Sequence, residues 1–167
     1  MRRTDREITD REEILQIMQT CTVLHLSMVD GGKPYVVPLN FGLEVQEPGG
    51  EIALYFHSAA AGRKTEVLQK QPEVCFCMES DVQLVAPNPN DPACHWTTRY
   101  ASVIGEGRAT KLEDVQQKAN GLHAILRQCG FCGEAPAFAQ DMLVRTAVYR
   151  VDVTGISAKR NPAKEQK

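Results

Sequence analysis

The sequence predicts a mainly β protein with flanking helices, in which six antiparallel strands curl into a small barrel. Six segments are rich in β-branched and aromatic residues, and most are joined by connections of hairpin length. The strands do not alternate regularly with long helices, which argues against a doubly wound parallel sheet. The length of 167 residues, with 43% hydrophobic and 24% charged residues, is typical of one globular domain. We expect residues 1–157 to form this domain and 158–167 to be a polar tail.

The first part of the chain supplies one helix and three strands. Thr9 and Glu12 form a capping box, and the apolar residues that follow predict a helix from Asp10 to Thr20. An Asp-Gly-Gly turn separates the first two strands, and a Pro-Gly-Gly turn ends the second. The predicted strands cover residues 22–29, 33–45 and 51–58.

The second part adds two helices and three strands. A short helix begins at the Gly-Arg-Lys of 62–64 and ends before Pro72. The segment 86–93 is too rich in proline and asparagine to be regular, and Gly105 and Gly107 indicate a bulge or bend in the fifth strand. The predicted strands cover residues 73–80, 99–110 and 143–156, and an amphipathic helix covers 112–129.

Composition and charge exclude several function classes. The formal net charge is −2 and no basic tract precedes the tail, so nucleic acid is not an expected partner. No apolar run approaches the ~20 residues that cross a bilayer, and the N-terminal segment has no apolar core like that of a secretory signal. We therefore expect a cytoplasmic protein without membrane contact, whose six cysteines are not disulfide-bonded.

The stretch YFHSAAAGRKTEVL, residues 55–68, places two cations beside a run of small residues at a strand-to-helix corner. Helix N-termini attract anions, Arg63 can pair with phosphate through two hydrogen bonds, and Lys64 adds a point charge. Gly62 and the alanines would let a ligand approach the backbone. The pattern thus indicates a phosphate-bearing ligand, with a solvated helix start as the alternative.

Three motifs in order carry a resemblance to a known family. They are PYVVPLNFG at 34–42, YFHSAAAGRK at 55–64 and TTRYASVIGEG at 97–107, and the opening MRRTDREI agrees with them. The sequence resembles the FMN-binding split-barrel proteins related to pyridoxamine 5′-phosphate oxidase, in particular the nitroimidazole-resistance branch, from Arg2 to about Gly155. The resemblance implies a six-stranded split barrel that forms a homodimer, with two flavins in the clefts between subunits.

The resemblance also assigns site residues. Arg63 and Lys64 would bind the FMN phosphate, and His57 and Ser58 would span the ring and the ribityl chain. The contacts implied along the isoalloxazine ring are Val37, Pro38, Leu39 and Asn40, and those implied in the cleft, acting across the interface, are Ser102 and Val103.

The activity that the resemblance implies is reduction of a small aromatic or nitro acceptor by reduced FMN. His57 is the candidate catalytic acid, and it is also a candidate cofactor contact. The alternative is a flavin or haem carrier or sensor without turnover, with His57 or His25 as a haem ligand. The C-terminus lacks the arginine-rich substrate motif of the enzymes that oxidise pyridoxamine phosphate, so this vitamin is not the expected substrate.

The remaining cysteine pairs allow several interpretations. Cys75 and Cys77 share one face of a strand, and Cys129 and Cys132 form a C-x-x-C pair. A four-thiolate zinc site and a thiol switch are both possible from spacing, but the pattern favours buried apolar filler, and we predict no metal. His25 and His123 are expected to be structural or exposed.

Overall fold

The structure is a computed structural model that describes residues 3–46, 50–87, 92 and 95–162. A short 3-10 turn at Thr4–Arg6 precedes the first strand. The helices are α1 (Arg11–Thr20), α2 (Arg63–Lys70), α3 (Val115–Gln128) and α4 (Gln140–Arg145). The strands are β1 (Glu7–Ile8), β2 (Leu24–Asp30), β3 (Lys33–Leu39), β4 (Gly42–Gln46), β5 (Glu51–Ala59), β6 (Glu73–Val85), β7 (Thr97–Lys111) and β8 (Thr146–Asn161). No helix among these residues is long and apolar enough to span a bilayer.

All eight described strands belong to one antiparallel sheet with the order β3-β2-β6-β7-β8-β5-β4, and β1 pairs with β8. The two ends of this sheet, β3 and β4, are consecutive in the chain and are joined by Asn40 and Phe41 alone. The sheet must therefore curl until its ends approach, although they do not pair. This confirms the mainly β fold and the split barrel, with eight strands instead of the predicted six.

One of the two additional strands arises because the predicted strand 33–45 is broken. Phe41 is fully buried between β3 and β4, and the Asn40 amide donates to the carbonyl of Thr22 over 3.3 Å. Gly42 then begins β4 directly beneath α3, where an added Cβ would lie 2.5 Å from the backbone of Ala124. The break redirects the chain from one end of the sheet to the other.

Two hydrophobic clusters stabilise the fold. The larger fills the barrel interior, where α1 and α2 also contribute, and each fully buried phenylalanine or leucine there stabilises the fold by about 1.5–3 kcal/mol. The smaller lies on the outer surface, between strands β4, β5 and β8 and the helices α3 and α4. Fully buried members of the interior cluster include Phe41, Phe56, Phe76, Met18, Leu24, Leu26, Leu54 and Met78.

The helix ends differ in detail from the prediction. The N-cap of α1 is Asp10, whose carboxylate accepts from the Glu13 N–H at 2.9 Å, so the capping box predicted at Thr9 lies one residue too early. The helix α4 was not predicted. It is only six residues long, which is too short for a clear periodic pattern.

The predicted tail boundary is wrong. Strand β8 continues to Asn161, and Ala158 is buried because it pairs with Val103 on β7 and with Ile8 on β1. Residues 158–161 therefore belong to the sheet, whereas 163–167 lie outside the described residues. Most of the loop predicted at 86–93 also lies outside them.

Candidate functional site: a cationic corner beside a sheet edge

The start of α2 forms an open corner at the end of β5. Gly62 is the N-cap with φ 134°, a conformation that favours glycine, and an added Cβ would meet nothing within 4 Å. Among the described residues no side chain caps the helix, since its N-cap is a glycine. The hydroxyls of Ser58 and Thr65 both donate to the Ala59 carbonyl, at 3.0 and 3.3 Å. The first N–H groups of α2 are thus available to an anion.

Arg63, the first residue of α2, is held by the β2–β3 hairpin. Its Nε donates to Asp30 Oδ2 at 2.8 Å, and its guanidinium carbon lies 4.1 Å from the centroid of the Tyr35 ring. These contacts leave both terminal nitrogens without a hydrogen-bond partner among the described residues. The guanidinium is therefore held in place while its two terminal nitrogens remain available to donate hydrogen bonds to an oxyanion.

Lys64 and His57 lie at the same corner, and the charge of Lys64 affects the pKa of His57. The Lys64 ammonium lies 5.4 Å from the centroid of the buried Phe56 ring, and partial burial lowers the pKa of Lys64. Partial burial also lowers the pKa of His57, and the charge of Lys64 lowers it further. His57 is therefore neutral at neutral pH, and a bound anion would favour the charged form of both side chains.

The segment Val37–Asn40 lies along the outer edge of β3, which pairs on one side only, with β2. Val37 and Leu39 pack towards the barrel interior, whereas Pro38 and Asn40 are exposed. A ligand beside this segment would contact the unpaired backbone edge of β3 and the side chains of Pro38 and Asn40. Since Tyr35 contacts Arg63, the edge begins beside the cationic corner.

Ser102 and Val103 do not join this group within one chain. They lie on β7, which β2 and β6 separate from β3, a distance of about 14 Å at the usual strand spacing. Val103 is fully buried in the barrel interior, so its side chain cannot contact a ligand in an outer cleft, and only its backbone remains a candidate. Ser102 points to the opposite, outer face, and none of the described residues forms a hydrogen bond with its buried hydroxyl.

Two contacts of the corner could not be seen in the sequence. Asp30 and Tyr35, which hold Arg63, lie about thirty residues away in the chain. The predicted turn at 30–32 placed Asp30 at a hairpin end, but nothing in the sequence indicated that this end would meet α2.

The prediction that the paired cysteines are buried filler is wrong. Cys75, Cys129 and Cys132 are exposed and Cys77 is partly exposed; only Cys21 is buried among the described cysteines. The described residues contain no cluster of three or more side chains that could hold a metal ion, which leaves the zinc interpretation without support. Cys94 lies outside the described residues.

Two other histidines have local partners. His25 on β2 is 3.8 Å from Glu79, and the His123 ring contacts the Pro136 carbonyl at 2.9 Å and stacks on Phe138. His123 is therefore structural, as expected.

Comparison with known protein families decides the membership of the chain. Residues 10–160 match the family model described as pyridoxamine 5′-phosphate oxidase. The chain belongs to this family. The comparison with curated proteins finds no match.

Solved structures agree with the fold. A proposed 5-nitroimidazole antibiotic resistance protein from Bacteroides thetaiotaomicron superposes with a TM-score of 0.77 at 27% identity. The match covers 92% of the present chain and 86% of the Bacteroides chain. The flavocytochrome Anf3 from Azotobacter vinelandii gives 0.77 at 23% identity, covering 100% and 75%. An FAD and heme binding protein from Mycobacterium smegmatis gives 0.80 at 17% identity, covering 97% and 76%. The last two similarities show the fold alone.

Proposed function

We propose that this protein is an FMN-dependent reductase of small aromatic or nitro compounds. The observation that carries the proposal is the corner at α2, where an uncapped helix start, Arg63 and Lys64 lie beside the unpaired edge of β3. This combination suits a ligand with a phosphate dianion at one end and a flat group with hydrogen-bonding edges at the other.

The residues of the corner fit such a cofactor. The N–H groups of α2 with Arg63 and Lys64 would hold the phosphate, and the backbone of Val37–Asn40 would hydrogen-bond to the amide-like edge of the ring. His57 and Ser58, at the end of β5, would contact the ring and the ribityl chain. When bound, the flavin supplies the electron transfer, and the protein binds it, orients it and admits an acceptor.

Family and structural similarity support the reaction class. The chain belongs to the pyridoxamine 5′-phosphate oxidase family, and one structure above 25% identity is described as a proposed 5-nitroimidazole antibiotic resistance protein. An aromatic nitro group is an electron acceptor of the kind that a reduced flavin can reduce. We therefore propose small aromatic or nitro compounds as acceptors.

We further propose that two copies form a homodimer with the cofactor at their interface. Exposed apolar side chains on β3 and β7, Val36 (56%) and Ile104 (45%), lie on the outer face of the sheet. Ser102 lies on β7, three strands from β3, and not at the cationic corner. A second copy against this face would cover the apolar side chains and bring Ser102 to the cofactor.

His57 has two compatible roles in this proposal. Its lowered pKa keeps the imidazole neutral in the free protein, which suits a hydrogen-bonding contact to the cofactor. A phosphate dianion at the corner would raise that pKa, so proton donation to a reduced acceptor becomes available once the cofactor is bound.

The proposal is tested by comparing FMN with riboflavin, which lacks the phosphate. The double variant Arg63→Ala/Lys64→Ala should weaken FMN binding by on the order of 100-fold, since it removes two charge-assisted partners. Riboflavin binding should change little. Fluorescence titration measures both affinities, and Lys70→Ala/Arg127→Ala is the control because it removes equal charge at exposed positions elsewhere.

Two outcomes would contradict the proposal. Unchanged FMN affinity in the double variant would remove the phosphate assignment. A purified protein that absorbs as a haem protein, without flavin bands, would favour the carrier or sensor alternative, with His25 or His57 as the axial ligand to test first.

A further inference from the structure

A second hollow lies on the outer face of the sheet, where β1, β8 and β7 run side by side. It has a volume of about 270 Å³ and is lined by Glu7, Ser102, Ile104, Ser157 and Lys159. These residues alternate along their strands, so their side chains share the outer face, and Ser102 pairs with Lys159 in register. Arg63 and the other residues of the cationic corner do not line it.

Lys159 is the cation of this hollow. It forms no ion pair with any described residue, and its ammonium lies 5.5 Å from the centroid of the Tyr100 ring. The Tyr100 ring restricts the position of the Lys159 ammonium, but it carries no negative charge that would neutralise it. A partly buried ammonium with no anionic partner, at the wall of a hollow, is suited to receiving an anion.

The hydroxyls beside Lys159 are also incompletely used. The Ser102 hydroxyl is buried and has no hydrogen-bond partner within the described part of the chain, although most buried polar groups have one. The Ser157 hydroxyl is at 3.5 Å from the Ile104 carbonyl, the outer limit for such a bond. Both hydroxyls can rotate to donate to an oxygen atom placed next to the ammonium.

Two carboxylates, Glu79 and Glu7, lie near the Lys159 ammonium and affect how well an anion can bind beside it. Glu79 is turned towards β2, since its Oε2 lies 3.8 Å from His25 Nδ1 and 3.9 Å from Cys77 Sγ. Glu7 lines the hollow and lies directly opposite Lys159 on the paired strand β1, but among the described residues the two side chains form no ion pair, so the Glu7 carboxylate opposes an anion there.

The apolar side of the hollow restricts the rest of the ligand. Ile104 is 45% exposed and forms an apolar part of the lining, beside Ser157, with which it pairs across the strands. A ligand with a carboxylate at one end and a flat apolar body at the other matches this division. The volume is sufficient for a single substituted benzene ring.

We propose that this hollow binds a small aromatic carboxylate, with the carboxylate oxygens accepting from Lys159, Ser102 and Ser157 and the ring against Ile104. As a statement about substrate class this rests on the proposed function, because it makes aromatic acids the preferred acceptors of the reductase. As a statement about binding it does not, because the hollow exists without a flavin. Ser102 and Ile104 also belong to the face that the second copy would cover, so a carboxylate bound here would lie between the two copies, beside the cofactor that Ser102 would reach.

The test uses two probes that differ in charge and hardly in shape, 4-nitrobenzoate and 4-nitrobenzamide. Calorimetric titration of the full chain should show tighter binding of the benzoate. Lys159→Met should weaken benzoate binding about fivefold and leave the amide unaffected, since only the charge-assisted contact is lost. Glu7→Gln should strengthen benzoate binding about twofold because it removes the opposing charge.

Lys70→Met is the matched control, since it removes one exposed lysine at the end of α2, away from the hollow. It should change neither affinity. Thermal unfolding of each variant verifies that the fold is retained, and the opposite signs of the Lys159 and Glu7 variants separate a local charge effect from a structural one.

The outcomes distinguish this proposal from the proposed function. Equal affinity for the two probes, or a benzoate affinity that Lys159→Met does not change, overturns the hollow as a carboxylate site. If Lys159→Met lowers riboflavin affinity while benzoate binding stays the same, the cation serves the oxygens of the flavin ring, which also overturns it. A protein that binds no flavin contradicts the proposed function, whereas the benzoate titration still reports on the hollow.

Discussion

The sheet has two outward regions that the chain treats in opposite ways. Around β4, β5 and β8 the outer surface is covered by α3 and α4, which bury Tyr55 and Val148 in a second hydrophobic cluster. Around β3, β6 and β7 it is bare, and Val36, Ile104 and Cys75 are exposed. The chain thus provides its own helices for one region and leaves apolar side chains without cover in the other.

This difference indicates what each region does. Packing beneath α3 contributes to the stability of the single chain, because the apolar surface it removes from water is buried within that chain. The bare region contributes nothing comparable until a second molecule covers it. Similar substitutions should therefore change unfolding free energy on the covered side and association on the bare side.

The largest expected effect is at Gly42 on the covered side. An added Cβ would lie 2.5 Å from the backbone of Ala124 and Ile125, so α3 would have to move away. Gly42→Ala should lower the free energy of unfolding by about 3 kcal/mol, measured by urea denaturation. Gly155→Ala is the control on the bare side. Its Cβ would meet only the end of the flexible Glu106 side chain at 3.2 Å, so equal losses for the two variants would contradict the comparison.

The next effect is on association. Ile104→Glu places a charge in the bare region and should weaken homodimer formation at least tenfold with little change in the stability of the monomer. Sedimentation over a concentration range measures this. Val115→Glu is a matched control, since Val115 is equally exposed, at 44%, but lies at the start of α3. A wild-type chain that is monomeric at all concentrations would contradict the proposed dimer.

The sequence predicted the strands and the corner because local signals determine both. Alternating β-forming residues, turn glycines and the Gly-Arg-Lys at a helix start each have a local physical cause, and the structure places Gly62 and Arg63 at the expected helix start. The prediction failed where local propensity and topology disagree. The β-branched and aromatic residues of 33–45 favour one strand, but β3 and β4 lie at opposite ends of the sheet, so the chain must break between them.

The burial of individual strand residues could not be predicted from the sequence either. Val103 and Ser102 are neighbours in one motif, yet one is in the interior and the other outside, and only the register of β7 against β6 and β8 determines which. The cysteines of β6 show the same limit, because Cys75 and Cys77 share a face, as expected, but the face is the exposed one. Long-range contacts such as Asp30 with Arg63 depend on the same tertiary arrangement.

The smallest expected effect tests the boundary of the covered region at His57. Tyr55 and His57 share one face of β5, but Tyr55 is buried under α3 whereas the His57 side chain remains accessible to solvent and is covered only in part by its neighbours. Because burial and the charge of Lys64 lower the pKa of His57 in the folded chain, the unfolded chain binds more protons between the folded and unfolded pKa values. The stability contributed by neutral His57 is therefore present above the unfolded pKa, near 6.5, and is lost as pH falls through the folded value.

Urea denaturation between pH 5 and 8 should thus show a shallower rise of stability with pH in His57→Gln than in the wild type. Lys64→Met should give an intermediate slope, because it removes the smaller of the two causes and leaves partial burial in place. Added inorganic phosphate should reduce the difference between wild type and His57→Gln, since an anion at the corner favours charged His57. Identical slopes in wild type and His57→Gln would show that the imidazole is as well hydrated as in the unfolded chain, and that the covered region ends before His57.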